Sequence, residues 1–504
     1  ITLTVNENLP TTSGSLVEDE TWSGDVTLTG DVTVPSGVTL TIEPGTRVLF
    51  SALSDDQGTG NNVDRSELIV EGSLSAVGTE AAPIAFTSSS STPGVGDWHG
   101  IRVVTTGTSE SVALDYCTVS YGELGIDVRA DGAGSTTSVN ITNCTIENTS
   151  GTGIFAYGMN NGGQVSVTIE GNTVSNNGAH GIYVYANGSG GSVTGTVRSN
   201  QISGSGGYGL ICYAYHSATS DVTIDGNEII DSDDAGIYVR TYNGSQGTVA
   251  VTGNTVTNSG LDTGSGNRYG IYVFTDTGSA QSDVDMTGNT VTGSGSHGVY
   301  AQTENSATSA VNIDDNTVTG SAGNGIYVYT YNSSVCTGSI SNNVVHGNGS
   351  TGIYAYSNRT YTSTPSAFTI NGNTVHSNNN TVGIYCRAYR SYLTVEVTSN
   401  EVYNSSTGIY CHGYGYNSSY VYDGLISGNT VHDNTGTGIS CYEEYVGQFY
   451  PEIRGNTVTT NGGDGISVTR NTAYGNAVAP VITLNTVTGN GGRGVNCVVT
   501  APGR

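Results

Sequence analysis

In the stretch Gln164-Val165-Ser166-Val167-Thr168-Ile169-Glu170-Gly171-Asn172-Thr173-Val174-Ser175-Asn176-Asn177-Gly178-Ala179-His180-Gly181-Ile182-Tyr183-Val184-Tyr185-Ala186, three short runs alternate apolar and polar residues. Val165, Val167 and Ile169 form the first run, and a period of two is the signature of a half-buried strand. Gly171-Asn172 turns the chain, and Thr173-Val174 begins a second strand with Val174 inward. The polar Ser175 to His180 bends it again. Gly181 opens a third strand, with Ile182 and Val184 inward and Tyr183 and Tyr185 outward. Helix competes poorly, because glycine and β-branched residues dominate and no 3.6-residue period is present.

The pattern returns about every 28 residues. Gly-Ile-Tyr copies begin at Gly181, Gly236, Gly270, Gly325 and Gly383, with looser ones at Gly100, Gly125, Gly153, Gly209, Gly298, Gly352, Gly408, Gly438, Gly465 and Gly494. An Asn-Thr-Val phrase or a near variant usually precedes each glycine by nine residues. Its asparagines are Asn172, Asn200, Asn227, Asn254, Asn289, Asn316, Asn343, Asn373, Asn400, Asn429, Asn456 and Asn485. Self-similarity at this period predicts an all-β solenoid, a right-handed parallel β-helix with three short strands per turn and about 15 regular turns. Stacked turns lie about 4.8 Å apart, so the asparagines superimpose at an inward bend. There each amide can bond its neighbour and a bend carbonyl otherwise left unsatisfied. The glycine before each Ile-Tyr strand is expected to supply a backbone conformation closed to larger residues.

Composition narrows the partners. The 504 residues include 74 glycines, 32 tyrosines and 9 prolines; all 14 basic residues are arginine, and 42 acidic ones leave a net charge of −28. That balance disfavours nucleic acid and anionic membranes. Only 11% of residues are charged, so the charge is dispersed rather than gathered in a tail. No stretch approaches the roughly 20 apolar residues of a membrane span. The start at Ile1, without initiator methionine or signal peptide, suggests a processed or trimmed chain. Asn-x-Ser/Thr triplets, as at Asn140, Asn187, Asn243, Asn332, Asn404 and Asn417, fit an exported glycoprotein, although an Asn/Ser/Thr-rich chain makes many by chance.

On these repeats, over roughly residues 95–500, the chain resembles the parallel β-helix repeat family, related in architecture to the pectate-lyase-like superfamily. The opening also resembles that of many exported β-helix proteins, through Val26-Thr27-Leu28-Thr29-Gly30, Val38-Thr39-Leu40-Thr41-Ile42-Glu43-Pro44-Gly45, Leu68-Ile69-Val70-Glu71-Gly72 and Trp98-His99-Gly100-Ile101. Residues 1–95 read as the N-terminal cap and irregular first turns of the solenoid, and 96–504 as its regular repeats. No obvious cap follows Cys497: either the native chain continues past Arg504, or something stacks on that end. The resemblance implies an extracellular or cell-surface location and a fold that hosts many activities.

Of eight cysteines, Cys117 and Cys144 take the asparagine position in two consecutive turns, where a separation of about 5 Å predicts a disulfide. Cys386, Cys411 and Cys441 should stack inside the core; Cys212, Cys336 and Cys497 have no cysteine in an adjacent turn, and small buried hydrophobes describe them. No Cys/His spacing resembles a zinc site, and neither a metal nor another cofactor is expected.

Function is expected on the outward positions of the Ile-Tyr strands. Tyr183, Tyr185, Tyr213, Tyr238, Tyr272, Tyr300, Tyr327, Tyr329, Tyr354, Tyr356, Tyr385 and Tyr410 form a nearly continuous aromatic strip. Tyrosine suits exposed strands and stacks on itself, yet a patch of this length also suits a partner. A tyrosine face receives a sugar ring and its hydroxyl a hydrogen bond; in pectate-lyase-like proteins the outer face of such a sheet is where polysaccharide lies. A second subunit would use the same chemistry. His346, His376 and His432 also point outward and stack, which admits a metal or pH-sensitive patch, although exposed variation describes them better. His180 and His297 read as turn residues.

An enzyme here would need clustered acids, or a base beside cations that neutralise a uronate. The clustered aspartates of polygalacturonase-like hydrolases and the Asp-Pro-His-Asp motif of alginate epimerases are absent, and no lysine exists to serve. Asp233-Asp234 has no matching acid in the next turn. The best cluster is Arg387, Tyr389, Arg390, Tyr410, His412, Tyr414, Glu443 and Glu444, where Arg387, His412, Tyr410 and Glu443 could carry β-elimination. The preferred expectation is a non-catalytic structural or adhesive rod whose tyrosine strip contacts glycan or a neighbouring subunit, with end-to-end assembly open. The alternative is a polysaccharide lyase or glycoside hydrolase acting on an acidic polysaccharide along the same strip.

Overall fold

A computed structural model describes residues 10–159, 161–261, 266–360, 364–415, 421–444, 448–471 and 480–500. Ile1, Asn417 and residues 501–504, on which expectations fall, lie outside the described residues. The chain divides into two units, Ile1–Glu228 and Ile229–Arg504. Among the described residues every element is a strand, and all named strand pairings are parallel.

In the first unit each turn runs through an Ile-Tyr strand, a longer strand and a three-residue strand, as in Ile154–Met159, Gln164–Glu170 and Thr173–Ser175. Each pairs with its counterpart one turn on: Ile154 lies over Ile182, Val165 over Val193 and Val174 over Ile202. Three parallel sheets result, and their inward valines and isoleucines fill the middle. Val167, Ile169, Val174, Ile182 and Val184 are all buried, each worth about 1.5–3 kcal/mol of transfer free energy. The irregular beginning joins the same sheets, since Val32–Val34 pairs with Glu67–Val70 and that strand with Gly100–Thr106.

The second unit repeats the plan, with ten Ile-Tyr strands from Ile237–Tyr242 to Val495–Thr500, against five in the first unit counted from Gly100–Thr106. Val249, Val251, Val256, Ile271 and Val273 are buried in it as their counterparts are in the first.

Asparagine holds the bends. The Asn172 side chain donates to Asn200 Oδ1 at 2.9 Å and to the Ile141 carbonyl at 2.9 Å. In the second unit the same bond links Asn289 to Asn316, Asn316 to Asn343 and Asn343 to Asn373, all at 2.9–3.0 Å. A second ladder, unremarked in the sequence reading, runs five residues later through Asn348 to Asn378 and Asn434 to Asn461 to Asn490. Both ladders satisfy bend carbonyls that water cannot reach.

Cys497 is exposed, where the sequence predicts a small buried hydrophobe, and two further expectations need correction. Cys117 and Cys144 are buried free thiols. Cys117 Sγ points to the Ala76 carbonyl at 3.2 Å and less closely to that of Asp115 at 3.5 Å, and Cys144 Sγ points to the Thr142 carbonyl at 3.1 Å. Cys144 Sγ instead accepts the Cys117 N–H at 3.4 Å, as Asn172 Oδ1 accepts that of Cys144 at 2.9 Å. The thiols therefore act as ladder rungs. The repeat glycines, second, are not there for a left-handed backbone: Gly181, Gly236, Gly270 and Gly325 are absent from the positive-φ residues, unlike Gly171 at 66°. A Cβ at Gly181 would meet Ile202 Cγ2 at 2.5 Å, and one at Gly325 would meet Val345 Cγ1 at 2.3 Å. Close packing against the next turn selects glycine.

Candidate functional site

Outward positions of one Ile-Tyr strand lie over those of the next, and aromatic rings at that spacing stack. In the first unit Tyr157 stacks on Tyr185 at 4.5 Å and Tyr185 on Tyr213 at 4.9 Å, with Phe155 beside Tyr183 at 5.0 Å. In the second, Tyr238, Tyr272, Tyr300, Tyr327, Tyr354, Tyr385 and Tyr410 form one file with centroids 4.7–5.2 Å apart and planes within 20°. Tyr329 and Tyr356 stand in a second file beside it, 5.3 Å apart.

These rings are less exposed than an open strip requires. Tyr238, Tyr272 and Tyr300 are only 7%, 5% and 7% exposed. Each ring covers the next, and bend residues wedge in beside them: Tyr269 lies 4.8 Å from Tyr272 and 5.0 Å from Tyr300, and His297 5.1 Å from Tyr327. His297 Nδ1 accepts the Asn324 N–H at 3.0 Å, and burial lowers its pKa to about 4. From Tyr327 through Tyr410 the rings are half-buried and present their edges. Burial raises the phenols of Tyr327, Tyr356 and Tyr385, and pushes those of Tyr329, Tyr354 and Tyr410 up to about 12. They are hydrogen-bonding groups at neutral pH, not bases.

The half-open stretch contains a cation. Arg387 lies over the Tyr356 ring at 5.0 Å and the Tyr389 ring at 5.7 Å, with Tyr354 as hydrogen-bond partner. It has no carboxylate partner among the described residues. His412 is its neighbour one turn on. His412 Nδ1 lies 3.3 Å from the Tyr385 hydroxyl, and burial followed by the Arg387 charge lowers its pKa to about 4.

The structure does not gather the whole cluster expected from the sequence. Arg387, Tyr410 and His412 meet on the outer face with Tyr389 and Tyr414, whose rings stack at 4.8 Å. Glu443 points the other way. It follows the outward Tyr442, so strand alternation turns it into the core, wholly buried over Gly413 and 2.5 Å from Arg470 Nε. Burial raises its carboxyl to about 7, with Arg470 opposing. Glu444, next along the strand, alternates outward instead, half-buried in register with Tyr414 and near enough to Tyr410 to act on it electrostatically, so the outer face keeps one carboxylate of the expected pair.

A second polar constellation, in the first unit, was missed. Residues 51–66 pack beside the first Ile-Tyr strands, where Asp31 and Glu67 are buried at the position later held by repeat glycines. Glu67 N–H donates to Asp31 Oδ1 at 2.9 Å, and Glu67 Oε2 faces Arg102 at 3.7 Å. His99 Nδ1 lies 2.7 Å from Glu123, which also receives Arg65 at 3.0 Å and the Asn62 amide at 2.6 Å. Asn61 occupies the other ring nitrogen of His99 at 3.3 Å. Every member faces another, so the network fastens the 51–66 segment. Trp98-His99-Gly100 and the acids in glycine slots were its signal in the sequence.

Among the described residues no cluster of three or more His, Cys, Asp or Glu is arranged to hold a metal ion, and no helix is long and apolar enough to cross a membrane. The sequence matches the family described as "Right handed beta helix region" over residues 99–335, 270–363 and 303–502. No curated protein matches it. Among solved structures, the periplasmic alginate epimerase AlgG is similar at 13% identity over 95% of this chain and 78% of its own, with a TM-score of 0.32. A single mutant of that enzyme gives 15% over 64% and 75%, TM-score 0.42. Pectate lyase Pel9A gives 14% over 58% and 69%, TM-score 0.23.

Proposed function

Because this chain belongs to the right-handed β-helix family, whose fold leaves function to its outer faces, we propose that it is a non-catalytic, exported binding protein that holds a glycan along the tyrosine file of its second unit. The observation that carries this reading is the half-buried run from Tyr327 to Tyr410 with Arg387 set beside it, a guanidinium with no carboxylate partner among the described residues in a chain of net charge −28. Ring edges at regular spacing offer a glycan apolar contact, and their hydroxyls, kept protonated by burial, take hydrogen bonds. Arg387 adds a fixed positive charge held near the Tyr356 and Tyr389 rings. The segment 1–95 serves as the cap of the first unit. A neighbouring subunit on the same file would use the same apolar chemistry, end-to-end assembly would use unpaired strand edges instead, and either would show as concentration-dependent mass in solution.

A second reading, a lyase on an acidic polysaccharide, is favoured by one observation. His412 is held neutral beside Arg387, as a base beside a carboxylate-neutralising cation would be. A panel of neutral, carboxylated and sulfated polysaccharides, read for binding and for unsaturated products or new reducing ends, tests both. Binding without turnover supports the binding protein. Turnover abolished by His412→Ala and by Arg387→Ala replaces it with the lyase, and absence of binding to every member sinks both.

A further inference from the structure

The outer face of the short-strand sheet in the second unit carries a feature that the tyrosine file does not use. At the third position of consecutive short strands, where Thr292 and Thr319 stand earlier and Thr459 later, the residues are His346, His376, Tyr403 and His432. Their rings form one stack, with centroids 4.9, 4.6 and 5.0 Å apart and planes within 11°. We propose that His346 and His376 form a two-point, solvent-facing site for a divalent transition-metal ion of the Ni2+, Cu2+ or Zn2+ class.

The hydrogen bonds of the two rings single out this pair. His346 Nδ1 lies 3.4 Å from Thr319 Oγ1, and His376 Nδ1 lies 3.2 Å from Ser377 Oγ. Each hydroxyl oxygen can accept an Nδ1–H, which leaves the lone pair on Nε2, the arrangement by which metal-binding imidazoles are oriented. Neither Nε2 bonds any described residue, and neither is sealed from solvent. His432 differs. Its Nδ1 meets Asp433 at 2.8 Å and its Nε2 faces Glu401 at 3.5 Å, so both of its nitrogens are engaged.

The spacing suits a clip. Two imidazoles sharing an ion at about 2.0–2.1 Å each need their nitrogens about 3–3.5 Å apart. The parallel rings of His346 and His376, 4.9 Å between centroids at 3°, reach this by tilting toward each other about their side-chain torsions. Imidazole suits these ions, and water completes the coordination. The carboxylate of Glu401 is close enough to His376 to act on it electrostatically, and the chain's net charge of −28 adds a general attraction for cations. Because the ligands sit in neighbouring turns 30 residues apart in sequence, an ion bound to both also ties two turns together and stabilises the folded state.

The test titrates chelator-treated full-length protein with NiCl2 by calorimetry, and with CuSO4 for electron paramagnetic resonance. The expected result is one equivalent of Ni2+, a Cu2+ spectrum with two nitrogen ligands, and a rise in melting temperature on Ni2+ addition. His346→Thr and His376→Thr should each weaken binding at least tenfold, and His432→Thr should leave it unchanged. Threonine is what neighbouring turns carry at this position, so these variants keep the fold, which circular dichroism checks. Undiminished Ni2+ binding by His376→Thr, a single-nitrogen Cu2+ spectrum, or equal weakening by His432→Thr would overturn the proposal.

Discussion

The outer Ile-Tyr faces of the two units share one repeat and stacked aromatic rings, but they hold their arginines in opposite ways. In the first unit the charges are locked in pairs: Arg102 faces Glu67, and Arg129 grips Asp127 through its Nε at 2.9 and 3.0 Å. In the second unit a file of seven tyrosines runs past Arg387, which has no such partner among the described residues. Interior positions show no comparable divergence. Buried valine, isoleucine and ladder asparagine recur in both units, because a parallel solenoid leaves each inward side chain one turn's height and no water. Inward positions are constrained by the fold; outward ones are free to differ, and binding chemistry accumulates there.

The largest expected effect tests the shared half of that comparison. Asn172→Ala in the first unit and Asn316→Ala in the second each remove side-chain bonds to a carbonyl and to the next amide. Each leaves buried groups unsatisfied, at a cost of about 3–5 kcal/mol. Chemical or thermal unfolding should report similar losses for the two. A loss below about 1 kcal/mol in either would mean that its ladder is ornamental and the interiors are not equivalent.

The repeat glycines come next, and they show where sequence reading reached its limit. Gly325→Ala places a Cβ 2.3 Å from Val345 Cγ1 and 2.8 Å from the Gly352 carbonyl, an overpacking cost of about 2–3 kcal/mol. Gly171→Asn, at a φ of 66° that asparagine tolerates, should cost under about 1 kcal/mol. The opposite ranking would restore the conformational explanation. Strand order, the asparagine ladder and the tyrosine register were legible because they repeat. What period two fixes was legible as well, and it should have turned Glu443 inward once Tyr442 was placed outward. The reason for glycine was not legible, since Val345 is twenty residues away in sequence. Nor was the covering of Tyr272 and Tyr300 by Tyr269 and His297, which depends on how a bend folds back. The Asp31–Glu67–His99–Glu123 network occurs once and so carries no period to read.

Glu443 provides a smaller effect, one confined to the second unit. Burial raises its carboxyl from the ordinary 4.5 to about 7, so the folded chain keeps a proton that the unfolded chain loses. That stabilisation is fully present below about pH 4.5 and is lost as the pH rises through about 7. Relative to Glu443→Gln, the native protein should lose about 1–3 kcal/mol between pH 5 and 8, read as a falling difference in unfolding midpoint. A difference flat in pH would mean that Arg470 holds the carboxylate charged throughout.

The smallest effect bears most directly on function. If the two outer faces differ because one arginine is neutralised and the other is not, removing each should have different consequences. Arg387→Ala should weaken glycan binding about tenfold, about 1.4 kcal/mol, with little change in stability, because it forms no ion pair with a carboxylate. Arg129→Ala should leave glycan affinity unchanged and lower stability instead, because it strands Asp127, a buried carboxylate held by the arginine's own nitrogens. The two variants thus exchange readouts. If both weaken binding alike, the glycan lies along both units and the contrast between paired and unpaired arginine has no functional meaning; if neither does, tyrosine alone holds it.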